Sequence, residues 1–183
     1  MDNKKINKTL ILCAIFLQIG FVLSIPVIKE TNIRSGKTIV VKTIPIDPQS
    51  FFRGDYINLS YEFSQIDLNE VEHDKAYFDR GQRIFVRLSK ASGSWEVVQV
   101  SSKPLKNIGL DQIMVVGSIN NWPSHNNFSV IYGIESYFVP EGEGKYIEKK
   151  IADKRATVEL SIDKKGSASV RKIFIDDKEV NFR

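Results

Sequence analysis

Hydrophobic and polar residues alternate along much of the chain after residue 37, which is typical of β-strands that bury one face and expose the other. The alternation is clearest over residues 55–63, where Ile57, Leu59, Tyr61 and Phe63 share one face. The same pattern predicts strands at residues 38–46, 82–89, 95–101, 112–119 and 127–134. Residues 156–162, residues 167–175 and a short last strand form a predicted C-terminal meander.

Turn-forming and aperiodic stretches separate these strands. Residues 92–94, with the sequence Ser-Gly-Ser, are a turn signal that predicts a hairpin between residues 82–89 and 95–101. Residues 65–80 and 102–111 are polar and show no period, so we expect surface loops there.

One segment after the N-terminal region has a helical pattern. In residues 144–153, Ile147 and Ile151 stand four positions apart and can share a face of a short helix. The sequence therefore predicts a mainly β, mostly antiparallel domain with one short helix near its C-terminal third. The pattern leaves a barrel and a sandwich open as the way the sheet closes.

The N-terminal part differs from this domain, because the twenty residues that begin with Thr9 and end with Ile28 carry no charge. A helix of that length spans about 30 Å, the thickness of the hydrocarbon core of a bilayer. Lys4, Lys5 and Lys8 precede the run, and a basic flank favours a cytoplasmic N-terminus. We therefore expect a single-pass signal-anchor in the cell membrane, with the rest of the chain extracytoplasmic.

A cleaved signal peptide and a buried core helix are the two alternatives for this segment, the former with Val22 and Ser24 at the −3 and −1 positions of a cleavage site. A proline shortly after them marks a point where the helix can end. The predicted organisation is a cytoplasmic flank and anchor at residues 1–28, a spacer at 29–37 and an extracytoplasmic β domain at 38–183.

Charge and cysteine content refine this organisation. The 183 residues include 26 Lys and Arg against 22 Asp and Glu, and residues 1–8 hold half of the net charge of +4. The remaining 23 basic and 21 acidic residues are nearly balanced, which argues against a nucleic-acid partner. Cys13 is the one cysteine and lies in the predicted anchor, so the exported domain must fold without disulfides.

The most distinctive stretch is a motif formed by Arg53, Gly54, Asp55, Tyr56, Leu59 and Tyr61. Gly54 permits a positive φ and Asp55 can accept hydrogen bonds from turn amides, so the pair can fix the start of a strand. Leu59 and Tyr61 belong to the apolar face, and Tyr56 belongs to the opposite face. A structural interpretation assigns the motif to a turn and a core. A functional interpretation places a shallow site for a polar ligand or a partner protein at Arg53, Asp55 and Tyr56.

This motif resembles the pattern that gives the bacterial GDYXXLXY family its name. Three other parts of the chain are similar to that family: residues 132–142, the strand pair 82–88 with 95–100, and the meander with Asp163 and Gly166. The resemblance implies a membrane-associated protein of uncharacterised function, whose relatives often occur beside or fused to multi-span membrane proteins. The family supplies no catalytic residue, so the candidate binding residues are the six of the motif alone.

Signals for catalysis and metal binding are weak. Ser50 and Lys42 can be imagined as a nucleophile and base, but the small residues that usually surround such a serine are missing. His73 and His125 stand far apart and outside any spaced ligand cluster. We therefore predict no catalytic residue, no metal and no cofactor.

Aromatic residues form a group that the strand pattern places close together: Trp122, Phe128, Tyr132, Tyr137 and Phe138. We interpret the group as a β core with one solvated rim, and a face that binds carbohydrate or peptide is the alternative.

These observations favour a non-enzymatic, membrane-anchored binding or accessory module that docks on a multi-span membrane partner. An envelope hydrolase acting on peptide or glycan is one alternative. A sensor of a small ligand, using Arg53, Asp55 and Tyr56, is the other.

Overall fold

The structure is a computed structural model that describes residues 8–44, 56–91, 93–121, 126–153 and 155–180. The chain divides into two compact units, Met1–Ser35 and Gly36–Arg183.

The first unit contains the helix α1 (Lys8–Ser35), which is 28 residues long. Its large apolar side chains between Leu10 and Leu23 are exposed. Among the residues that the structure describes, no helix is both long enough and apolar enough to cross a membrane. The helix continues past the proline at which the sequence suggested an end, so residues 29–35 of the predicted spacer are helical.

The second unit contains twelve described strands, one α-helix and one 3₁₀ helix. The strands are β1 (Lys37–Lys42), β2 (Tyr56–Asn58), β3 (Gln65–Asp67), β4 (Glu72–His73), β5 (Arg83–Ala91), β6 (Ser94–Ser101), β7 (Gln112–Ile119), β8 (Asn127–Ile131), β9 (Ser136–Phe138), β10 (Ala156–Ile162), β11 (Ala168–Ile175) and β12 (Lys178–Glu179). The 3₁₀ helix is Glu62–Ser64, and the α-helix α2 is Gly144–Ala152.

These strands form three sheets. Their orders are β1-β10-β11-β12, β2-β9 and β3-β8-β7-β5-β6-β4. Every pairing between these strands is antiparallel except the two-residue parallel contact of β4 with β6. The prediction of a mainly β, mostly antiparallel domain is therefore confirmed.

The sheets and α2 bury one shared hydrophobic core. Alternating positions supply it, as in β1, where Ile39 and Val41 are buried between exposed neighbours. Ile147 and Ile151 of α2 are buried in the same core, as their four-residue spacing predicts. Since β propensity depends on such half-buried surfaces, the alternation explains why these segments are strands.

Several predicted elements are confirmed closely. β5 and β6 form the predicted hairpin, and β7 covers the predicted residues 112–119. The segments β10, β11 and β12 form the predicted meander, and α2 lies within the predicted 144–153.

Two predictions about the backbone are wrong. Within the described residues 56–63, only Tyr56–Asn58 form a regular strand, and Glu62–Ser64 form a 3₁₀ helix. Residues 65–80 are not simply a surface loop, because they contain β3 and β4 and bury Ile66, Leu68 and Phe78. Strands of two or three residues are too short to leave a readable period in a sequence.

The turn between β10 and β11 joins this meander to the six-stranded sheet. The Asp163 carboxylate accepts hydrogen bonds from the backbone amides of Lys165 and Ser167, each at 2.8 Å. The carbonyl of Gly166 accepts a 2.8 Å hydrogen bond from the amide of Val116 in β7. Gly166 has a φ of +87°, and a Cβ there would lie 2.9 Å from the Val116 side chain. The Asp-x-x-Gly spacing thus has a structural cause in a left-handed, closely packed turn.

Candidate functional site

The six predicted binding residues fall into two groups. Arg53, Gly54 and Asp55 lie outside the described residues. The structure describes the second half of the motif, where Tyr56 is exposed while Leu59 and Tyr61 are buried at 1% and 0% exposure. The predicted opposition of Tyr56 to Leu59 and Tyr61 is present, and the two buried residues contribute to the core.

Tyr61 connects the motif to residues far along the chain. Its hydroxyl donates a 2.8 Å hydrogen bond to the carbonyl of Ile134, and its ring stacks on Phe63 with centroids 5.3 Å apart. In the reverse direction, the hydroxyl of Tyr132 donates to the carbonyl of Phe63 at 2.8 Å. The Phe63 and Tyr132 rings meet edge to face at 5.1 Å. Two buried tyrosines therefore bind the two segments together reciprocally; we call Tyr61 and Tyr132 the buried tyrosine pair.

Glu135 fixes the turn that carries this contact. Its carboxylate accepts hydrogen bonds from the amides of Tyr132 at 2.6 Å and Gly133 at 2.9 Å. Its own carbonyl accepts a 2.7 Å hydrogen bond from the amide of Leu59. Gly133 has a φ of +82°, which a glycine adopts without steric cost.

The electrostatics of the buried tyrosine pair follow from this packing. Burial raises the pKa of Tyr61 well above its usual value, and the negative charge of Glu135 raises it further. The same two causes, in the same order, raise the pKa of Tyr132. Both hydroxyls therefore remain protonated donors and are unsuited to act as bases near neutral pH.

The exposed part of the site is formed by β2 and β9. Their register places Tyr56 opposite Phe138 and Ile57 opposite Tyr137. The rings of Tyr56 and Phe138 meet edge to face with centroids 5.3 Å apart. Tyr56 and Phe138 are 56% and 57% exposed. Ile57, the next residue of β2, is fully buried in the core. We call Tyr56 and Phe138 the exposed aromatic pair.

Helix α2 supports this strand pair from behind. It contacts β2, and Gly144 at its start lies against the side chains of Val139 and Ile57. Tyr146 is a further exposed aromatic side chain of α2, with the ammonium group of Lys150 5.6 Å from its ring centroid. The strand pair that carries the exposed aromatic pair is therefore backed by α2 and by the hydrophobic core.

The predicted aromatic group divides as the pattern suggested. Phe128 and Tyr132 are buried, Tyr137 is partly buried and Phe138 is exposed, which matches a core with one solvated rim. Burial raises the pKa of Tyr137. Trp122 lies outside the described residues.

The residues considered for catalysis and metal binding give no assembled site in the described parts of the chain. Ser50 and His125 lie outside them, and Lys42 is exposed in β1. His73 is exposed, with its Nδ1 atom 2.9 Å from the carbonyl of Val71. Among the described residues, no three His, Cys, Asp or Glu side chains are grouped to hold a metal ion.

Comparison with known protein families decides the relationship that the motif suggested. The family model described as GDYXXLXY protein matches residues 18–173. The chain belongs to the GDYXXLXY family. No curated protein and no solved structure matches it.

The geometry gives the GDYXXLXY motif a partner that the sequence did not reveal. The motif pairs with residues 132–138, which belong to the stretch 132–142 that is itself similar to the family. Glu135 is a contributor that the sequence patterns did not single out, whereas Phe138 belongs to the predicted aromatic group. Gly133 and Glu135, two positions apart, were a usable signal for a closed turn. The contact of Tyr61 with Ile134, 73 residues away, has no local signal.

Proposed function

We propose that this GDYXXLXY protein is a membrane-anchored, extracytoplasmic binding or accessory module that docks on a multi-span membrane partner. The observation that carries the docking proposal is the exposed aromatic pair. Tyrosine is enriched among the residues that contribute most binding energy at protein interfaces, and phenylalanine is enriched at interfaces. Tyr56 and Phe138 are each more than half exposed.

The backbone beneath the pair favours binding over a purely structural role. The buried tyrosine pair and the closed turn at Glu135 fix β2 and β9 before any partner arrives. A preorganised face loses little conformational entropy on association, so more of the contact energy contributes to affinity. Tyrosine also supplies a hydroxyl that can donate or accept a hydrogen bond at such an interface.

The anchor proposal rests on the sequence of α1. The uncharged run from Thr9 to Ile28 is long enough for a bilayer, and exposed apolar side chains such as Leu10 and Phe16 lie along it. The basic flank before the run favours a cytoplasmic N-terminus. No described helix is both long enough and apolar enough for a span, so the anchor proposal rests on the uncharged run and its basic flank.

Reporter fusions test the topology. We expect a reporter that is active only outside the cytoplasm to be active when fused after Arg183. A cytoplasm-only reporter at the same position serves as the control and should be silent. Activity of the cytoplasmic reporter there would contradict both the extracytoplasmic location and the docking proposal built on it.

Crosslinking and recovery from membranes test the docking. The tagged full chain, crosslinked in cells and gently solubilised, should be recovered with a multi-span membrane protein. The double variant Tyr56→Ala/Phe138→Ala should lower that recovery at least tenfold. Tyr77→Ala is the matched control, because Tyr77 is another exposed tyrosine at 61% exposure and lies outside the pair. Equal recovery by the double variant and the control would overturn the role of the aromatic pair.

A further inference from the structure

β1 is the edge strand of its sheet. It pairs with β10 on one side, and the sheet order shows no described strand on the other. Antiparallel strands direct the amides of successive residues to opposite sides. The amide of Thr43 donates to the Ala156 carbonyl at the end of the β10 pairing, whereas the amide of Ile44 donates to Ser60 on the opposite side.

This alternation identifies the backbone groups of β1 that point away from β10. Like the amide of Thr43, the amides of every second residue before it point toward β10: Lys37, Ile39 and Val41. The amides of Thr38, Val40 and Lys42 point the other way, where no described strand pairs with β1. An isolated antiparallel bridge of Thr43 with Tyr61 covers the Lys42 end of this side, so Thr38 and Val40 are the residues whose amides face an open edge among the described residues. An edge of this kind is a template for pairing with another chain.

A groove of about 360 Å³ lies along this edge, between β1 and the start of β6. Five consecutive residues, from Thr38 to Lys42, line it, so β1 presents its backbone edge as well as its side chains. Phe63 and Trp95 add apolar surface. We call this cavity the edge groove.

The far wall of the edge groove is also incompletely paired. β6 pairs with β5 along its length, but β4 reaches only Gln99 and Val100 on its other side. Ser94 and Trp95, which line the groove, lie beyond that contact. The groove therefore runs beside a stretch of β6 that has one strand neighbour among the described residues.

Charge makes the edge groove selective. Lys42 and Lys90 line it together with one acidic residue, Glu62. Neither lysine forms an ion pair with a described carboxylate. An incoming segment that carries carboxylates would therefore meet two ammonium groups that no described carboxylate engages.

We propose that the edge groove receives an extended acidic peptide segment of a partner protein, which adds to β1 as a further strand. The amides of Thr38 and Val40 supply main-chain hydrogen bonds, and the side chains of Lys42 and Lys90 select carboxylates. The inference deepens the proposed function, because it names a second way in which the docking partner is held. It is tested separately from the exposed aromatic pair.

Peptide binding to the full chain in detergent tests the inference. The probes are two fluorescent heptapeptides, one alternating Glu with Val and the other alternating Lys with Val. We expect the acidic peptide to bind at least tenfold more tightly. Lys42→Glu/Lys90→Glu should reverse the preference, because it replaces both ammonium groups by carboxylates. Absence of binding of the acidic peptide up to 1 mM, or equal binding of both peptides, would overturn the inference.

Variants at Val40 distinguish strand addition from charge attraction alone. Val40→Pro removes an amide on the free edge, and proline is tolerated on edge strands where the amide faces away from the ladder. It should lower binding of the acidic peptide at least tenfold, while Val40→Ala keeps the amide and should stay within threefold. If Val40→Pro fails to fold by circular dichroism, the charge-reversal variant decides alone. Equal binding by folded Val40→Pro and Val40→Ala would exclude strand addition.

Recovery of the membrane partner distinguishes this inference from the proposed function. If Val40→Pro binds no peptide yet recovers the partner as the unmodified chain does, the edge groove is not the docking route and the inference fails. If the unmodified chain recovers no partner, the proposed function fails whatever the peptides do.

Discussion

The buried tyrosine pair and the exposed aromatic pair come from the same two segments of the chain but meet opposite environments. Tyr61 and Tyr132 are enclosed, and each hydroxyl donates to a backbone carbonyl of the other segment. Tyr56 and Phe138 contact each other and otherwise face outward. The difference teaches that one short motif can secure a fold through its second half and expose an aromatic ring at its first described residue.

The largest expected effect comes from breaking the buried side of this comparison. Tyr61→Ala removes a fully buried ring and leaves the carbonyl of Ile134 without its donor. We expect the free energy of unfolding to fall by about 3–5 kcal/mol. Urea denaturation measures the change, and the exposed Tyr77→Ala should stay within about 0.5 kcal/mol of the unmodified chain. A loss for Tyr61→Ala as small as that of the control would contradict its place in the core.

Alkaline pH should lower the free energy of unfolding through the buried tyrosine pair. The folded-state pKa values of Tyr61 and Tyr132 are raised above that of an unfolded tyrosine. The unfolded chain therefore loses these protons first as the pH rises above about 10, and stability falls from there. Each tyrosine should contribute up to about 1.4 kcal/mol of loss per pH unit.

Urea denaturation between pH 9 and pH 11 measures this loss, with Tyr132→Phe as the matched control. The variant should show a shallower decline, because the contributions of lysine and of exposed tyrosine are common to both chains. Identical slopes for the variant and the unmodified chain would show that Tyr132 does not remain protonated by burial.

Removal of a single hydroxyl should have a smaller effect. Tyr132→Phe keeps the ring contact with Phe63 but leaves the carbonyl of Phe63 without its donor. We expect a loss of about 1–3 kcal/mol at neutral pH, the cost of a buried, unsatisfied polar group. Thermal or urea unfolding measures it, and an unchanged stability would mean that this carbonyl finds another donor.

The smallest effect belongs to the exposed aromatic pair. A double-mutant cycle with Tyr56→Ala and Phe138→Ala isolates the coupling between the two rings, for which we expect about 0.5–1.5 kcal/mol. Larger single-variant losses, comparable to that of Tyr61→Ala, would indicate that the pair serves the core and would weaken the docking proposal.

Burial along the motif could be predicted from the sequence, although its backbone could not. The inward positions of Ile57, Leu59, Tyr61 and Phe63 are all buried, as the alternation requires. Every second residue from Ile57 to Phe63 is buried, even though a 3₁₀ helix replaces the strand at Glu62–Ser64.

Contacts over long sequence separations could not be predicted. The pairing of β2 with β9 and of β1 with β10 joins segments whose own patterns contain no information about their partners. The sequence therefore predicted that Tyr56 faces outward, but it did not predict that Phe138 is its neighbour on the adjacent strand. For the same reason, it could not show that β1 is an edge strand beside a groove.

Site-specific photocrosslinking in intact membranes tests the central claim, docking through the exposed aromatic pair, most directly. A photoreactive phenylalanine analogue at position 56 should yield an adduct that mass spectrometry identifies as a multi-span membrane protein, and Phe138→Ala should abolish the adduct. The same analogue at position 77 should yield none. A folded, membrane-located chain that gives no adduct from position 56, or equal adducts from both positions, would contradict the account.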